Sequence, residues 1–254
     1  MKTAFFRFYA ELNDFLTRNI RGKEFPYEFW GNPAIKDAIE ALGVPHPEVD
    51  LILVNGRSVD FAYRLQNGDR VSVYPVFELL DIADVTRLRP KPLREPCFIA
   101  DVNLGKLARK LRLLGFDTLY ENDYDDKTII RIAAEEHRII LTRDIELLKH
   151  HLVIHGYWLR STIPEKQTME IVDKFDLYRQ IKAFSRCTEC NGILKAVAKS
   201  DVAHLIKQQT SKYFDRFFQC EQCKKVYWPG THYKRMALFV AAILNKQQKP
   251  DSGY

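Results

Sequence analysis

Four cysteines form two C-x-x-C pairs whose residue type and spacing are typical of a metal site. Cys187 and Cys190 are separated by 29 residues from Cys220 and Cys223. Two thiolates on one tight turn can face one ion, and two such turns complete a tetrahedral sulfur site that suits structural zinc. Redox dithiols or unrelated buried cysteines are the alternative interpretation. The spacing favours a zinc ribbon, which stabilises a small lobe and performs no chemistry by itself.

Two aspartates stand directly after hydrophobic, strand-like segments. Asp101 ends the segment "CFIAD", and Asp144 ends the segment "RIILTRD". Because the carboxyl ends of parallel strands meet at one edge of a sheet, we expect these carboxylates to come together. Carboxylate clusters suit magnesium or manganese, which activate water and stabilise charge at a scissile phosphate. The alternative for each aspartate is a helix N-cap.

The positive charge of the chain is concentrated at its C-terminal end. Residues 159–254 carry 17 Lys and Arg against 9 Asp and Glu, whereas the rest of the chain is close to balanced. Aromatic residues are interleaved with these charges, which predicts phosphate attraction and base stacking and therefore contact with RNA. Solvation of an ordinary surface is the alternative. The candidate RNA-binding residues near the two aspartates are Lys106, Arg109, Arg112 and Arg143.

The composition excludes a membrane protein and favours a reducing compartment. The longest apolar run near the C-terminus, residues 236–244, is too short to span a bilayer. The N-terminal segment is interrupted by Arg7 and Glu11 and has no signal-peptide core. We therefore predict a cytoplasmic protein with no membrane partner, in which metal binding is favoured over disulfides.

Residues 1–81 have a strand–strand–helix–strand–strand pattern. The segments "LILVNGRSVDF" and "LQNGDRVSVYPVF" resemble the ubiquitin-like β-grasp domains of the small sulfur-carrier type. Those carriers end in Gly-Gly, whereas this segment runs into Glu78 and Leu79, so carrier chemistry is not expected. A binding or scaffolding role with a protein partner is predicted instead. Residues 82–95 are rich in proline and basic residues and are predicted to form a linker.

The remainder of the chain changes to an α/β pattern and then to the cysteine pairs. Strands alternating with helices over residues 96–182 predict a parallel sheet. Residues 183–254 are predicted to form the zinc ribbon and a C-terminal helix. The segments "CFIADVNLGKLARKLRLLGFDTLY", "DDKTIIRIAAEEHRIILTRDIELL", "RCTECNGIL" and "FQCEQCKKVYW" together resemble the Mut-seven C-terminal RNase family, a branch of the PIN-like nucleases.

This resemblance implies a PIN-like α/β domain that follows a β-grasp domain and precedes a zinc ribbon. It further implies a metal-dependent ribonuclease in which Asp101, Asp126 and Asp144 are catalytic and bind magnesium or manganese. The alternative function is a non-catalytic RNA- or ribosome-binding adaptor that keeps the same fold. The competitors for the third acidic ligand are Asp117, Asp123 and Asp125.

Overall fold

The computed structural model describes residues 1–75, 86–88 and 96–246. Apart from residues 86–88, the predicted linker lies outside the described residues, and so does the C-terminal tail. Among the described residues, no helix combines the length and the hydropathy that a membrane span requires.

The chain divides into two compact units. The first unit comprises residues 1–95 and 126–158, and the second comprises residues 96–125 and 159–254. The predicted nuclease segment, residues 96–182, therefore contributes to both units.

The N-terminal segment contains a mixed five-stranded sheet with one helix. Its elements are β1 (Lys2–Phe8), β2 (Phe25–Phe29), α1 (Ile35–Ala41), β3 (Val49–Val54), β4 (Arg57–Ser58) and β5 (Arg70–Pro75). The strand order is β2-β1-β5-β3-β4. Strand β1 is parallel to β5, and the other neighbours are antiparallel. This topology confirms the predicted ubiquitin-like β-grasp domain.

The sequence alternation of β1 explains how this sheet covers its core. Ala4, Phe6 and Phe8 are buried on one face, whereas Phe5 and Arg7 are exposed on the other. A period of two residues places successive side chains on opposite faces of a strand, so one face packs against α1 and the other faces solvent.

The nuclease segment has the predicted alternation of strands and helices. Its elements are β6 (Phe98–Ala100), α2 (Gly105–Leu114), β7 (Thr118–Leu119), α3 (Asp126–Glu136), β8 (Ile139–Thr142), α4 (Ile145–Lys149), β9 (Gly156–Trp158) and α5 (Pro164–Lys174). In the second unit β6 pairs in parallel with β7, and in the first unit β8 pairs in parallel with β9. The predicted α/β class with parallel strands is confirmed. Helix α4 was not predicted, because five residues are too few for a helical period to be visible.

The C-terminal segment contains a small antiparallel sheet and a long helix. Its elements are β10 (Leu194–Val197), α6 (Lys199–Val202), α7 (Gln208–Tyr213), β11 (Phe217–Cys220), β12 (Val226–Tyr227) and α8 (Thr231–Lys246). The order β10-β11-β12 is compatible with the predicted zinc ribbon. Helix α8 buries Val240 and Ile243, and the ammonium of Lys110 lies 4.0 Å from the ring centroid of Phe239.

Within the first unit, the β-grasp domain packs directly against β9 and the loop before it. The His46 ring Nε2 lies 2.7 Å from the Val153 carbonyl oxygen. The Trp158 backbone N–H donates to Glu48 Oε1 at 2.6 Å, and the Trp158 ring packs against Phe15 at a centroid distance of 5.1 Å. These contacts make the β-grasp domain part of the scaffold that holds β9.

Candidate functional site

The four cysteine sulfurs converge in the second unit. All four Sγ atoms lie within 4.8 Å of one another. Cys187 and Cys223 are 3.6 Å apart, and Cys190 and Cys220 are 3.4 Å apart. A disulfide requires about 2.05 Å, whereas a tetrahedral site with bonds of about 2.3 Å separates its sulfurs by about 3.8 Å. The cluster therefore has the spacing of a four-thiolate site and could hold a metal ion.

The two cysteine turns have the same backbone geometry. In each turn, the N–H of the first cysteine donates to the carbonyl of the residue five positions later. The carbonyl of the same cysteine accepts from the N–H of the residue four positions later. These distances are 2.7 and 3.0 Å at Cys187, and 3.0 and 3.1 Å at Cys220. The residue four positions on has a positive φ, 70° at Asn191 and 61° at Lys224. A Cβ on Gly192 would lie 2.8 Å from Cys220 Sγ, so only glycine allows the turns to approach this closely.

The thiols of the cluster differ in their protonation behaviour. Burial raises the pKa of Cys187, but hydrogen bonds from the Tyr227 hydroxyl and from backbone N–H groups outweigh it and bring this pKa to about 7. Desolvation and the neighbouring thiols raise the pKa of Cys223 to about 12. Because adjacent thiolates repel one another, a cation is needed to keep all four deprotonated. The donor set suits a thiophilic divalent ion such as zinc.

Arg112 is buried and ties α2 to the first cysteine turn. Its side chain is 2% exposed, and burial lowers its pKa. Its Nε donates to the Thr118 carbonyl at 2.8 Å, and its Nη1 donates to the Glu189 carbonyl at 2.5 Å. The prediction that Arg112 binds RNA is therefore wrong, because backbone carbonyls enclose its guanidinium group. Arg109, three positions earlier, is exposed.

We expect the replacement Arg112→Gln to lower the free energy of unfolding by about 2–4 kcal/mol, because it leaves buried carbonyl groups without a donor. Denaturant titration of the full chain measures this change. The matched control is Arg109→Gln on the same helix, where loss of an exposed ion pair with Glu189 should cost at most about 1 kcal/mol. Equal losses in both variants would show that Arg112 has no special structural role.

Asp117 also contacts residues of the first cysteine turn. Its Oδ2 lies 3.1 Å from Arg186 Nη2, and its Oδ1 accepts a hydrogen bond of 3.0 Å from Asn191 Nδ2. Asn191 Oδ1 in turn accepts from the Thr118 N–H at 3.1 Å. Because both carboxylate oxygens of Asp117 have protein partners, the prediction of a cation ligand is not supported for this residue. Asn191 was not predicted from the sequence, although an asparagine directly after C-x-x-C favours the left-handed turn.

Asp144 lies in the first unit, in a loop that is held by several hydrogen bonds. It is the N-cap of α4, since its Oδ1 accepts from the Glu146 N–H at 2.8 Å. Its own N–H donates to Thr142 Oγ1 at 2.9 Å. The Trp158 indole N–H donates to the Arg143 carbonyl at 3.1 Å. The N-cap interpretation is thus correct for one oxygen of Asp144, and the cap orients the carboxylate.

Asp126 and Asp144 line the same cleft of the first unit, although they are far apart in the sequence. Asp126 is the first residue of α3, and the cleft between α3 and α4 has a volume of about 640 Å³. The side chains of both aspartates and of Arg143 are exposed. The structure thus brings two of the three predicted catalytic acids to one cavity.

Asp101 lies in the second unit, at the carboxyl end of β6, as the sequence predicts. It is 8% exposed, and its backbone carbonyl accepts from the Leu104 N–H at 2.8 Å at the start of a short 3-10 helix. Lys106 and Arg109 follow on α2 with exposed side chains. The side chains of Lys106 and Arg109 therefore lie at the surface of α2, whereas Asp101 is buried.

Comparisons with known proteins agree with this architecture. Residues 96–240 match the Mut7-C RNAse domain, and residues 1–81 match the Mut7-C ubiquitin domain. Exonuclease mut-7 of Caenorhabditis elegans is 30% identical over 151 residues, which cover 51% of this chain but 16% of the relative. No solved structure matches the chain. The RNase-domain match spans more than half of the residues of this chain, and the chain therefore belongs to the Mut7-C RNase-domain family.

Proposed function

We propose that this protein is a metal-dependent ribonuclease with a PIN-like nuclease domain and a structural zinc ribbon. The family match supports nuclease activity, and so does the similarity to a protein named as an exonuclease. The observation that carries the proposal is the cleft shared by Asp126 and Asp144. The cysteine spacing, which favours metal binding over disulfides, supports a cytoplasmic location.

In the proposed site of the first unit, Asp126 and Asp144 would hold the catalytic cation. Asp101, in the second unit, stays a catalytic acid predicted from the sequence. A bound magnesium or manganese ion would supply Lewis-acid activation of water and stabilise the charge at the scissile phosphate. The N-cap hydrogen bond from Glu146 uses Oδ1 of Asp144 and orients its carboxylate. Thr142, through its hydrogen bond to the Asp144 N–H, keeps this loop in place.

The direct test is cleavage of single-stranded RNA by the purified full chain. We expect cleavage with magnesium or manganese and none when the divalent ion is omitted. A protein that binds RNA but is inert with every divalent ion would support the adaptor function instead.

The proposed RNA-binding surface of the second unit combines α2 with the cysteine turns. Glu189 lies between two cations, 3.3 Å from Arg109 Nη2 and 2.8 Å from Lys225 Nζ. This arrangement brings the basic residues of α2 next to those of the zinc ribbon. Tyr213 is 80% exposed and available for stacking, whereas Phe217 is buried and is not. Arg143 is the proposed RNA contact of the first unit.

Binding to RNA is expected to weaken steeply with salt, because neutralised phosphates release counterions. Replacing both Lys106 and Arg109 with Gln should reduce the slope of log affinity against log salt by about 1.4, at about 0.7 per lost contact with a single strand. Fluorescence anisotropy over a salt series measures the slope. The control is the double replacement of Arg18 and Lys23, which are exposed on the β-grasp domain. Identical slopes for the two double variants would exclude α2 from the RNA-binding surface.

A further inference from the structure

The cleft that contains Asp126 and Asp144 has an apolar floor. Ile130 of α3 and Leu147 of α4 line it and are buried. Leu152, which follows α4, lines the same cleft and is 50% exposed. Burial of apolar surface is favourable. An exposed leucine beside two buried aliphatic residues therefore provides a surface on which a flat apolar group can be buried.

Ion pairs compensate much of the charge around the rim of this cleft. The Arg131 guanidinium pairs with the Glu135 carboxylate at 2.8 Å, and Lys149 Nζ pairs with the Glu146 carboxylate at 2.8 Å. The cleft thus combines two carboxylates proposed to hold a cation with an apolar surface and locally balanced rim charges. A ligand that matches it has an anionic group and an apolar face close together.

A nucleotide has this combination, since its phosphate is anionic and its base has an apolar face that stacks on side chains. The volume of about 640 Å³ also lies within the range of about 300–1,000 Å³ typical of small-ligand pockets. We propose that the cleft binds the base of an unpaired nucleotide next to the scissile phosphate. This proposal rests on the proposed nuclease function and adds to it a base-binding subsite lined by Ile130, Leu147 and Leu152.

Single-strandedness follows from the geometry of base recognition. In a duplex, each base is stacked between its neighbours, so its face can contact a protein side chain only after the base leaves the stack. An unpaired nucleotide avoids the free-energy cost of leaving the stack. A base can therefore reach Ile130, Leu147 and Leu152 at low cost only in a single strand.

The chain offers a matched pair of variants for a test. Leu152 lines the cleft and is 50% exposed, whereas Ile154 is 52% exposed and, among the described residues, lies outside the cleft lining. The replacements Leu152→Gln and Ile154→Gln change similarly exposed side chains by similar chemistry, and both should leave the fold intact. Leu152→Gln removes part of the apolar floor, and Ile154→Gln leaves it unchanged.

Binding is measured by fluorescence anisotropy with short RNA oligonucleotides, with calcium in place of magnesium to suppress cleavage. One set is intact, a second carries a single abasic nucleotide at each position in turn, and a third is annealed to its complement. We expect Leu152→Gln to weaken binding of intact RNA on the order of tenfold, because stacking of a base on a side chain contributes to affinity by about this factor. One abasic position should weaken wild-type binding by a similar factor, and the variant should lose nothing further on that RNA. Ile154→Gln should bind like the wild type, and the duplex should bind weakly to all three proteins.

The results separate this inference from the proposed function. Equal binding of intact and abasic RNA, or wild-type binding by Leu152→Gln, overturns the base-binding cleft even if the protein cleaves RNA with magnesium. If a peptide rather than a base occupies the cleft, Leu152→Gln leaves RNA affinity unchanged, and the base-binding proposal is likewise overturned. Loss of binding with abasic RNA supports the base-binding cleft even if cleavage is absent, in which case only the nuclease proposal fails.

Discussion

The purified full chain is expected to contain one zinc ion, and loss of this ion is expected to unfold the C-terminal lobe. Structural zinc contributes on the order of 10 kcal/mol to the folding of a small site, which exceeds what three short strands can contribute alone. Elemental analysis should find zinc in the wild type. The variant Cys220→Ser, which removes a buried ligand, should lose the ion and unfold at a lower temperature.

The fifth cysteine provides the control for this experiment. Cys97 is half-buried and does not belong to the four-sulfur cluster. The variant Cys97→Ser should therefore keep its zinc and unfold close to the wild-type temperature. Zinc-free wild-type protein, or a Cys220→Ser variant as stable as Cys97→Ser, would contradict the assignment.

Zinc removal is also expected to loosen residues outside the ribbon. Arg112 and Asn191 join the first cysteine turn to α2 and to Thr118 in β7. Hydrogen exchange of β7 should therefore accelerate when zinc is removed. For the same reason, experiments on the ribbon require the full chain, since a fragment starting at residue 159 lacks these partners.

The replacements Asp101→Asn and Asp144→Asn are each expected to reduce RNA cleavage by about a hundredfold or more. Each replacement removes a negative charge that would hold the catalytic cation, and such an ion contributes several kcal/mol of transition-state stabilisation. The assay follows cleavage of single-stranded RNA with magnesium or manganese. RNA affinity should remain close to that of the wild type in both variants.

The capping role of Asp144 makes this comparison sharper. Asn and Asp cap helices about equally well, so Asp144→Asn should keep the hydrogen bond to the Glu146 N–H and nearly all of the stability. The control is Asp60→Asn, because Asp60 Oδ1 accepts a hydrogen bond of 2.9 Å from the Ala62 N–H in the β-grasp domain. It should cleave RNA at the wild-type rate. Full activity in both Asp101→Asn and Asp144→Asn would place the active site elsewhere.

Local sequence patterns were sufficient to predict most of the elements. The alternation of Ala4, Phe6 and Phe8 predicts β1, and the leucine spacing before Gly115 predicts α2 and its end, where the glycine has a φ of 98°. The paired cysteines predict the sulfur cluster. Such patterns work because backbone periodicity and turn formation depend on residues that are close in sequence.

The roles of individual polar residues depended on contacts between distant parts of the chain. From the sequence, Arg109 and Arg112 were equivalent surface cations, yet Arg112 is buried because Glu189, 77 positions away, brings its carbonyl to the guanidinium group. Likewise, Asp117 resembles the other acids in the sequence, but in the structure its carboxylate oxygens contact Asn191 and Arg186.

The sequence by itself therefore determined the class of each segment, the cysteine cluster and the positions of Asp101 and Asp144 at strand ends. The tertiary structure alone decided which charged side chains are buried, that Asp126 shares a cleft with Asp144, and that Leu152 lines that cleft. The physical reason is that periodicity is a local property of the backbone. Burial, ion pairing and cavity shape arise only when elements far apart in sequence pack together.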